Sequence, residues 1–167
     1  RKKIKIKNVK VIKDIDNKTF EEIEYILLCI KPKDSKRFLE SFRDTKTNKI
    51  FISFVAGLGI QRIISTINHP NLRVARIMPN IFVKNNRSST GIFTKNINTP
   101  TKKKILDIFK FFGYFYWLSS ESDFHFFTAM FGGGPAYFLY LFECLNKISI
   151  KNKINKNDSI NLLIMLL

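Results

Sequence analysis

The sequence predicts an α/β fold in which a doubly wound, largely parallel sheet is followed by a helical region. Short apolar runs of strand length alternate with helical stripes up to Leu118, and no strand pattern recurs after it. The chain has 167 residues, of which 45% are hydrophobic, enough for one packed domain and part of another. We therefore expect a sheet domain over residues 1–118 and the start of a helical domain over residues 119–167.

The predicted strands are short apolar runs that polar or turn-forming residues interrupt. They cover residues 8–12, 25–30, 49–55, 71–78, 88–94 and 114–118. The run at 25–30 is polar at neither alternate position, which is typical of a strand covered on both faces. It stops at Lys31-Pro32, because proline cannot continue a central strand.

Apolar stripes and capping residues predict the helices. These cover residues 20–24, 35–42, 60–67, 100–112, 123–131 and 135–148, and a solvated connection is expected over 151–158. Asp34 is the predicted cap of the second helix. In the third, isoleucines recur every three or four positions and form one apolar stripe. Thr99 is the predicted N-cap of the fourth, with Pro100 at its first helical position.

The chain is strongly basic, with 29 Lys and Arg against 13 Asp and Glu and a formal net charge of +16. Such a balance suits a nucleic-acid partner, because Lys and Arg neutralise phosphates. However, Arg is rare beside Lys, the lysines are scattered, and Lys, Asn, Ile and Phe all have A/T-rich codons. We therefore predict no nucleic-acid partner, with a basic RNA- or ribosome-associated protein as the alternative.

Membrane and metal partners are not expected either. Residues 124–145 carry few charges, but three glycines and a proline interrupt them, which would break a spanning helix. Cys29 and Cys144 each lie in an apolar run without metal-ligand spacing, so both are predicted to be buried in a protein of the reducing cytoplasm. The sequence begins with Arg1 rather than Met and ends within an apolar run at residues 161–167. We therefore expect it to be a fragment.

Three predicted strands end in small, rigid or polar residues. These ends are Ile30-Lys31-Pro32, Ala56-Gly57 and Met78-Pro79-Asn80. A doubly wound sheet binds ligands outside the carboxyl ends of its strands, and small residues let a ring or a phosphate approach the backbone. The alternative is that these residues only end strands. Gly57-Leu58-Gly59 has Arg62 where a phosphate-binding turn needs a third glycine, so we interpret it as a strand-to-helix turn.

The turn Gly132-Gly133-Gly134-Pro135 precedes a strongly apolar helix. Free N–H groups at a helix start suit an anion such as a substrate carboxylate. Glycines also permit a tight corner between two helices. The residues alone leave both interpretations open. Neither histidine is predicted to be catalytic, and no catalytic side chain is singled out.

Four stretches, taken in order, resemble pyrroline-5-carboxylate reductase. In that family they read Val-Lys-Pro, Ser-x-Ala-Ala-Gly, Arg-x-Met-Pro-Asn-Thr-Pro and Thr-x-Leu-Ser-Gly-Ser-Gly-Pro-Ala-Tyr. Here they stand at residues 30–32, 53–57, 76–80 and 128–137, and the resemblance covers residues 9–150. It implies a partial Rossmann-like dinucleotide-binding domain followed by the start of an all-helical dimerisation domain. It also implies reduction of 1-pyrroline-5-carboxylate to L-proline with NADPH or NADH, in a homo-oligomer.

The resemblance assigns roles to particular residues. The expected cofactor-binding residues are Asp16, Ile30, Lys31, Pro32, Ala56 and Gly57. The expected substrate-proximal residues are Met78, Pro79, Asn80, Gly132, Gly133 and Gly134.

Several positions depart from the family's pattern. Asp16 stands where many members have asparagine, and its carboxylate would repel phosphate. Phe131 and Gly133 replace two serines, which removes hydroxyls from the substrate side. The family's Gly-x-Gly-x-x-Gly turn and its later Ser-Pro-Gly-Gly segment are not in this sequence, so we expect little activity from these residues alone. A decayed, non-catalytic relative is the remaining alternative.

Overall fold

The computed structural model describes residues 17–166, which are built around a five-stranded mixed sheet. Its strands are β1 (Tyr25–Leu28), β2 (Ile50–Ser53), β3 (Arg73–Met78), β4 (Ser88–Lys95) and β5 (Gly113–Trp117). They stand in the order β1-β2-β3-β4-β5, and every neighbouring pair is parallel except β3 and β4. The predicted α/β class is confirmed. The antiparallel pair has a simple cause, because residues 79–87 hold only a 3-10 turn and a parallel crossover needs about a dozen residues or more.

Seven α-helices accompany the sheet in the described residues. They are α1 (Asn17–Glu22), α2 (Pro32–Glu40), α3 (Ile60–Ile67), α4 (Thr99–Phe109), α5 (Phe124–Phe127), α6 (Gly134–Lys151) and α7 (Lys156–Ile164). Two predicted caps are wrong. Helix α2 begins at Pro32 after Lys31, because proline fits a position whose N–H has no intrahelical partner, and this places Asp34 inside the first turn. Asn98, not Thr99, caps α4 by accepting a hydrogen bond from the Thr101 N–H.

Helices cover both faces of the sheet. One apolar cluster joins β1, β2 and β3 to α2 and α3, with Leu39 and Ile63 fully buried. The other joins β2, β3 and β4 to α4 through Ile52, Ile77 and Ile105. Each fully buried side chain of this kind contributes roughly 1.5–3 kcal/mol. The predicted double winding is therefore present, with β2 and β3 at its centre.

Strand β1 is more exposed than its sequence predicts. It pairs with β2 alone among the described residues, and its side chains alternate between the core and the other face. Leu27 on that other face is 46% exposed, and Cys29 is also exposed. The predictions of a strand covered on both faces and of a buried Cys29 are wrong, because on this face only Tyr25 packs against the second apolar cluster while Leu27 and Cys29 remain exposed. Cys144, also predicted to be buried, is only half-buried.

The chain from β5 to α6 is helical almost throughout. A 3-10 turn (Glu121–Asp123), α5 and a π-helical segment (Thr128–Gly132) lead into α6. We call residues 121–132 the lead-in. Phe124 and Phe127 dock it on the sheet against Met78 and Phe93. No helix within residues 17–166 has the length and apolar composition needed to cross a bilayer.

Candidate functional site

The three predicted strand ends lie at one edge of the sheet. Leu28, Ser53 and Arg76 are in register across the parallel strands β1, β2 and β3. The residues that follow each strand therefore emerge side by side, as they do wherever parallel strands end together. The structure brings Ile30-Lys31-Pro32, Ala56-Gly57 and Met78-Pro79-Asn80 to this edge.

The expected cofactor-binding residues form the open side of this edge. Ile30 packs against the first apolar cluster, while Lys31, Pro32, Ala56 and Gly57 are exposed. Gly57 has a φ of +71°, a conformation that favours glycine, and a Cβ there would meet nothing within 4 Å. Glycine is therefore needed at this position for backbone shape. The predicted strand-to-helix turn at residues 57–59 is confirmed, with Gly59 as the N-cap of α3. Asp16 lies outside the described residues.

Asn80 joins the strand edge to the lead-in. Its side chain, in a residue only 9% exposed, donates from Nδ2 to the Phe131 carbonyl at 3.0 Å. Its Oδ1 accepts the Phe82 N–H at 3.0 Å, and its own N–H donates to Ser88 Oγ at 2.9 Å. The Thr90 hydroxyl in turn donates a hydrogen bond to Ser88 Oγ at 3.0 Å. One amide side chain thus connects the end of β3 with the segment that leads into α6.

Two cavities flank this connection. One, of about 480 Å³, is lined by Asn80, Gly134 and Pro135 together with apolar side chains of α6 and Ile164. The other, of about 590 Å³, is lined by Thr90, Asp123 and several aromatic rings. Ser89 and Phe131 border both. The first cavity therefore brings Asn80 and Gly134, two of the expected substrate-proximal residues, to a common space large enough for a small molecule.

The glycine segment is not a turn, which corrects the prediction. Gly133 has φ −79° and ψ −20°, so the backbone runs from the π-helical segment into α6 in right-handed helical conformation. The Gly133 N–H donates to the Thr128 carbonyl at 2.9 Å. A Cβ on Gly133 would lie 2.9 Å from Tyr137 Oη and 3.1 Å from the Ala129 carbonyl. At Gly133 the packing interpretation is therefore favoured over the anion site. Gly132 lies against Thr128, whereas Gly134 lines the 480 Å³ cavity.

Two titratable groups near the site have shifted pKa values. Partial burial raises the pKa of the Cys29 thiol, which follows β1 directly, so the thiol stays protonated and weakly nucleophilic at neutral pH. Hydrogen bonds from Ser120 lower the pKa of Asp123 in the lead-in. Among the described residues no cluster of three His, Cys, Asp or Glu could hold a metal ion.

Sequence reasoning missed three polar residues of this region. Ser88 and Thr90 stand at alternate positions of β4, so their hydroxyls share one face of the strand, and that spacing could have revealed them. Glu121 bonds to α3 and β3, which lie 61 and 45 positions away, and no local pattern signals contacts at such separations.

Comparison with known proteins identifies the family. A Staphylococcus epidermidis protein named pyrroline-5-carboxylate reductase is 33% identical over 145 residues, 86% of this chain. This chain belongs to the pyrroline-5-carboxylate reductase family. It spans 53% of that reductase, about half the length of the curated relatives it matches. No protein-family model matches the chain. The comparisons lend no support to an RNA- or ribosome-associated protein.

Two solved reductases share the architecture. The pyrroline-5-carboxylate reductase of Coxiella burnetii superposes with a TM-score of 0.81 over 87% of this chain and 54% of its own; at 24% identity it supports the fold alone. The Plasmodium falciparum pyrroline carboxylate reductase, solved with NADP bound, has a TM-score of 0.76 and 27% identity over 86% of this chain and 54% of its own.

Proposed function

We propose that this chain is part of an NAD(P)H-dependent enzyme that reduces 1-pyrroline-5-carboxylate to L-proline. In this reaction the nicotinamide gives a hydride to the carbon of the C=N bond, and the ring nitrogen takes a proton from solvent. The observation that carries the proposal is the meeting of three family motifs at one sheet edge, joined to the fourth by Asn80. The protein side of such chemistry is binding and orientation, since the cofactor supplies the hydride.

We assign the nicotinamide half of NADPH or NADH to the open edge formed by Ile30, Lys31, Pro32, Ala56 and Gly57. Exposed small residues at the end of β2 support this, because a planar ring can approach their backbone. The NADP bound in the Plasmodium falciparum relative supports a dinucleotide of this class. We also assign Asp16 to cofactor binding because of its position in the family resemblance, although its carboxylate would repel a phosphate.

We assign the substrate to the neighbouring space bounded by Met78, Pro79, Asn80 and the segment Gly132–Gly134. The 480 Å³ cavity between Asn80 and Gly134 supports this assignment. Its lining is mostly apolar, which suits a five-membered ring, and the Asn80 region adds polar groups that can orient a ligand. Both substrate and cofactor are small soluble molecules, and we propose that the enzyme works in the cytoplasm.

We further propose two domains, residues 1–118 and 119–167, and a homo-oligomer formed through the second. Helices α6 and α7 support this, because several of their large apolar side chains are each more than half exposed. Examples are Phe138, Tyr140, Ile148, Leu162 and Ile164. Contiguous exposed apolar surface of this kind marks an interaction site. A second copy of the chain is the partner we propose.

The test is pyrroline-5-carboxylate-dependent oxidation of NADPH by the full-length protein that contains this chain and by its Ala56→Phe variant. Ala56 is exposed, so a larger side chain leaves the core intact but fills the cofactor edge. We expect Ala56→Phe to raise the KM for NADPH by about tenfold or more, equivalent to ~1.4 kcal/mol of lost binding. Ser65→Phe, at an exposed position near the far end of α3, is the control and should leave KM unchanged. An equal KM in both variants contradicts the cofactor assignment.

A further inference from the structure

The carboxylate of Glu121 holds two elements of the sheet domain at once. Its Oε1 accepts the backbone N–H of Ile60, the first residue of α3, at 2.7 Å. The same oxygen accepts Nη1 of Arg76, on β3, at 3.0 Å. Glu121 itself opens the lead-in. Glu121, which follows β5, therefore fixes the start of α3, a helix that lies between β2 and β3 in the sequence.

Helix α3 depends on Glu121 for its cap. The N-cap residue is Gly59, which has no side chain to accept the free N–H groups of the first turn. A carboxylate in this position both accepts a hydrogen bond and faces the positive end of the helix dipole. Charge-assisted hydrogen bonds of this type are stronger than neutral ones. Loss of Glu121 would leave the first turn of α3 without this acceptor.

Arg76 fixes the direction from which Glu121 approaches. The Arg76 side chain is 11% exposed and that of Glu121 is 27% exposed, so the pair is partly shielded from solvent. The Arg76 guanidinium also lies 4.4 Å from the centre of the Phe124 ring, within cation–π range. Phe124 belongs to the docked lead-in. The charge pair and the ring contact together hold the lead-in and α3 in one geometry.

We infer that Glu121 is a positioning residue that sets the shape of the cofactor edge by anchoring α3 behind the turn at Gly57–Gly59. This inference rests on the proposed function, because that turn carries Gly57 and adjoins Ala56. Two glycines within three residues give the turn wide conformational freedom. The buried Val55 fixes one end of it and the anchored Ile60 fixes the other. Glu121 does not reach the reacting atoms, so its effect falls on cofactor binding.

The experiment compares the wild-type full-length protein with its Glu121→Ala and Glu121→Gln variants. Alanine removes both hydrogen bonds, whereas glutamine keeps an acceptor for the Ile60 N–H and loses the charge. Glu40→Gln is the matched control, since it neutralises an exposed glutamate whose partner, Lys36, lies 3.8 Å away on the same helix. Three quantities are measured: the Kd for NADPH by its fluorescence, hydrogen exchange at the Ile60 amide without cofactor, and kcat at saturating cofactor.

For Glu121→Ala we expect the Kd to rise about tenfold, equivalent to ~1.4 kcal/mol, with faster exchange at Ile60. Glutamine should restore a large part of both, and kcat at saturating cofactor should stay within about twofold because binding alone is affected. If wild type binds NADPH and all variants bind it equally, the positioning role is overturned and the proposed function stands. If wild type binds no NADPH, the proposed function itself fails. Unchanged exchange at Ile60 in Glu121→Ala overturns the anchor in either case.

Discussion

Replacing Asn80 by alanine should loosen the C-terminal end of the lead-in at the sheet edge and destabilise the protein by roughly 2–3 kcal/mol. The change removes the donor to the Phe131 carbonyl and the acceptor of the Phe82 N–H, both at 3.0 Å. Each such hydrogen bond contributes about 1 kcal/mol net, and a buried partner left without one adds a further penalty. Asn80 is only 9% exposed, so water replaces the lost contacts poorly.

Urea unfolding and thermal melting measure this effect. For a chain of this size, ~2–3 kcal/mol corresponds to a fall in Tm of about 5–10 °C. Asn98→Ala is the matched control: it also removes an asparagine cap, but an exposed one with a single hydrogen bond from Thr101. Its expected cost is about 1 kcal/mol. If Asn80→Ala costs no more than Asn98→Ala, the connection through Asn80 does not hold the lead-in and the reasoning is refuted.

Two further predictions concern the frame around the site. Gly113→Ala should lower stability by roughly 3 kcal/mol or more, because φ is +125° there and a Cβ would lie 2.6 Å from the Ser88 backbone. Gly134→Ala should leave stability nearly unchanged, because a Cβ there meets nothing within 4 Å. If urea unfolding shows the same loss of stability for both variants, the predicted clash at Gly113 is disproved. Asp123→Asn should lower stability at pH 7, because the folded-state pKa of Asp123 is depressed below its unfolded value. The stabilisation by the charged carboxylate is present above the unfolded-state pKa, about 4, and is lost as pH falls through the folded-state pKa. The difference in unfolding free energy between variant and wild type should therefore close at low pH. If this difference in unfolding free energy does not narrow as pH falls below the unfolded-state pKa, the charge is not its cause.

Local patterns predicted the central elements well. The isoleucine stripe at 60–67 coincides with α3, whose four stripe residues are all buried, because periodicity reports which face meets the core. The end of β3 was predicted correctly at Met78, and the ends of β1 and β2 were predicted two residues too late. These predictions come close because proline and glycine end strands through their own backbone geometry. Exposure was predicted less well. Leu27 and Cys29 lie in an apolar run, yet whether such a run is covered depends on what packs beside it.

The errors at the site have a common origin in contacts between distant residues. Three consecutive glycines suggested a turn, but the segment is helical because the Gly133 N–H finds the Thr128 carbonyl and the lead-in docks through Phe127. The antiparallel pairing of β4 with β3 has a local origin instead. It follows from the short connection at residues 79–87, which the predicted strands 71–78 and 88–94 already implied. Glu121 could not be found from sequence, since its partners are set by tertiary structure alone.

The most direct test of the proposed reaction is the fate of the transferred hydrogen. The full-length protein that contains this chain is incubated with 1-pyrroline-5-carboxylate and NADPH that carries deuterium on the transferring face of nicotinamide carbon 4. The product is analysed by mass spectrometry and NMR. Hydride transfer to the C=N carbon predicts L-proline with one deuterium on the ring carbon that is bonded to nitrogen and lacks the carboxylate. Formation of no proline, or of proline without deuterium at that carbon, would contradict it.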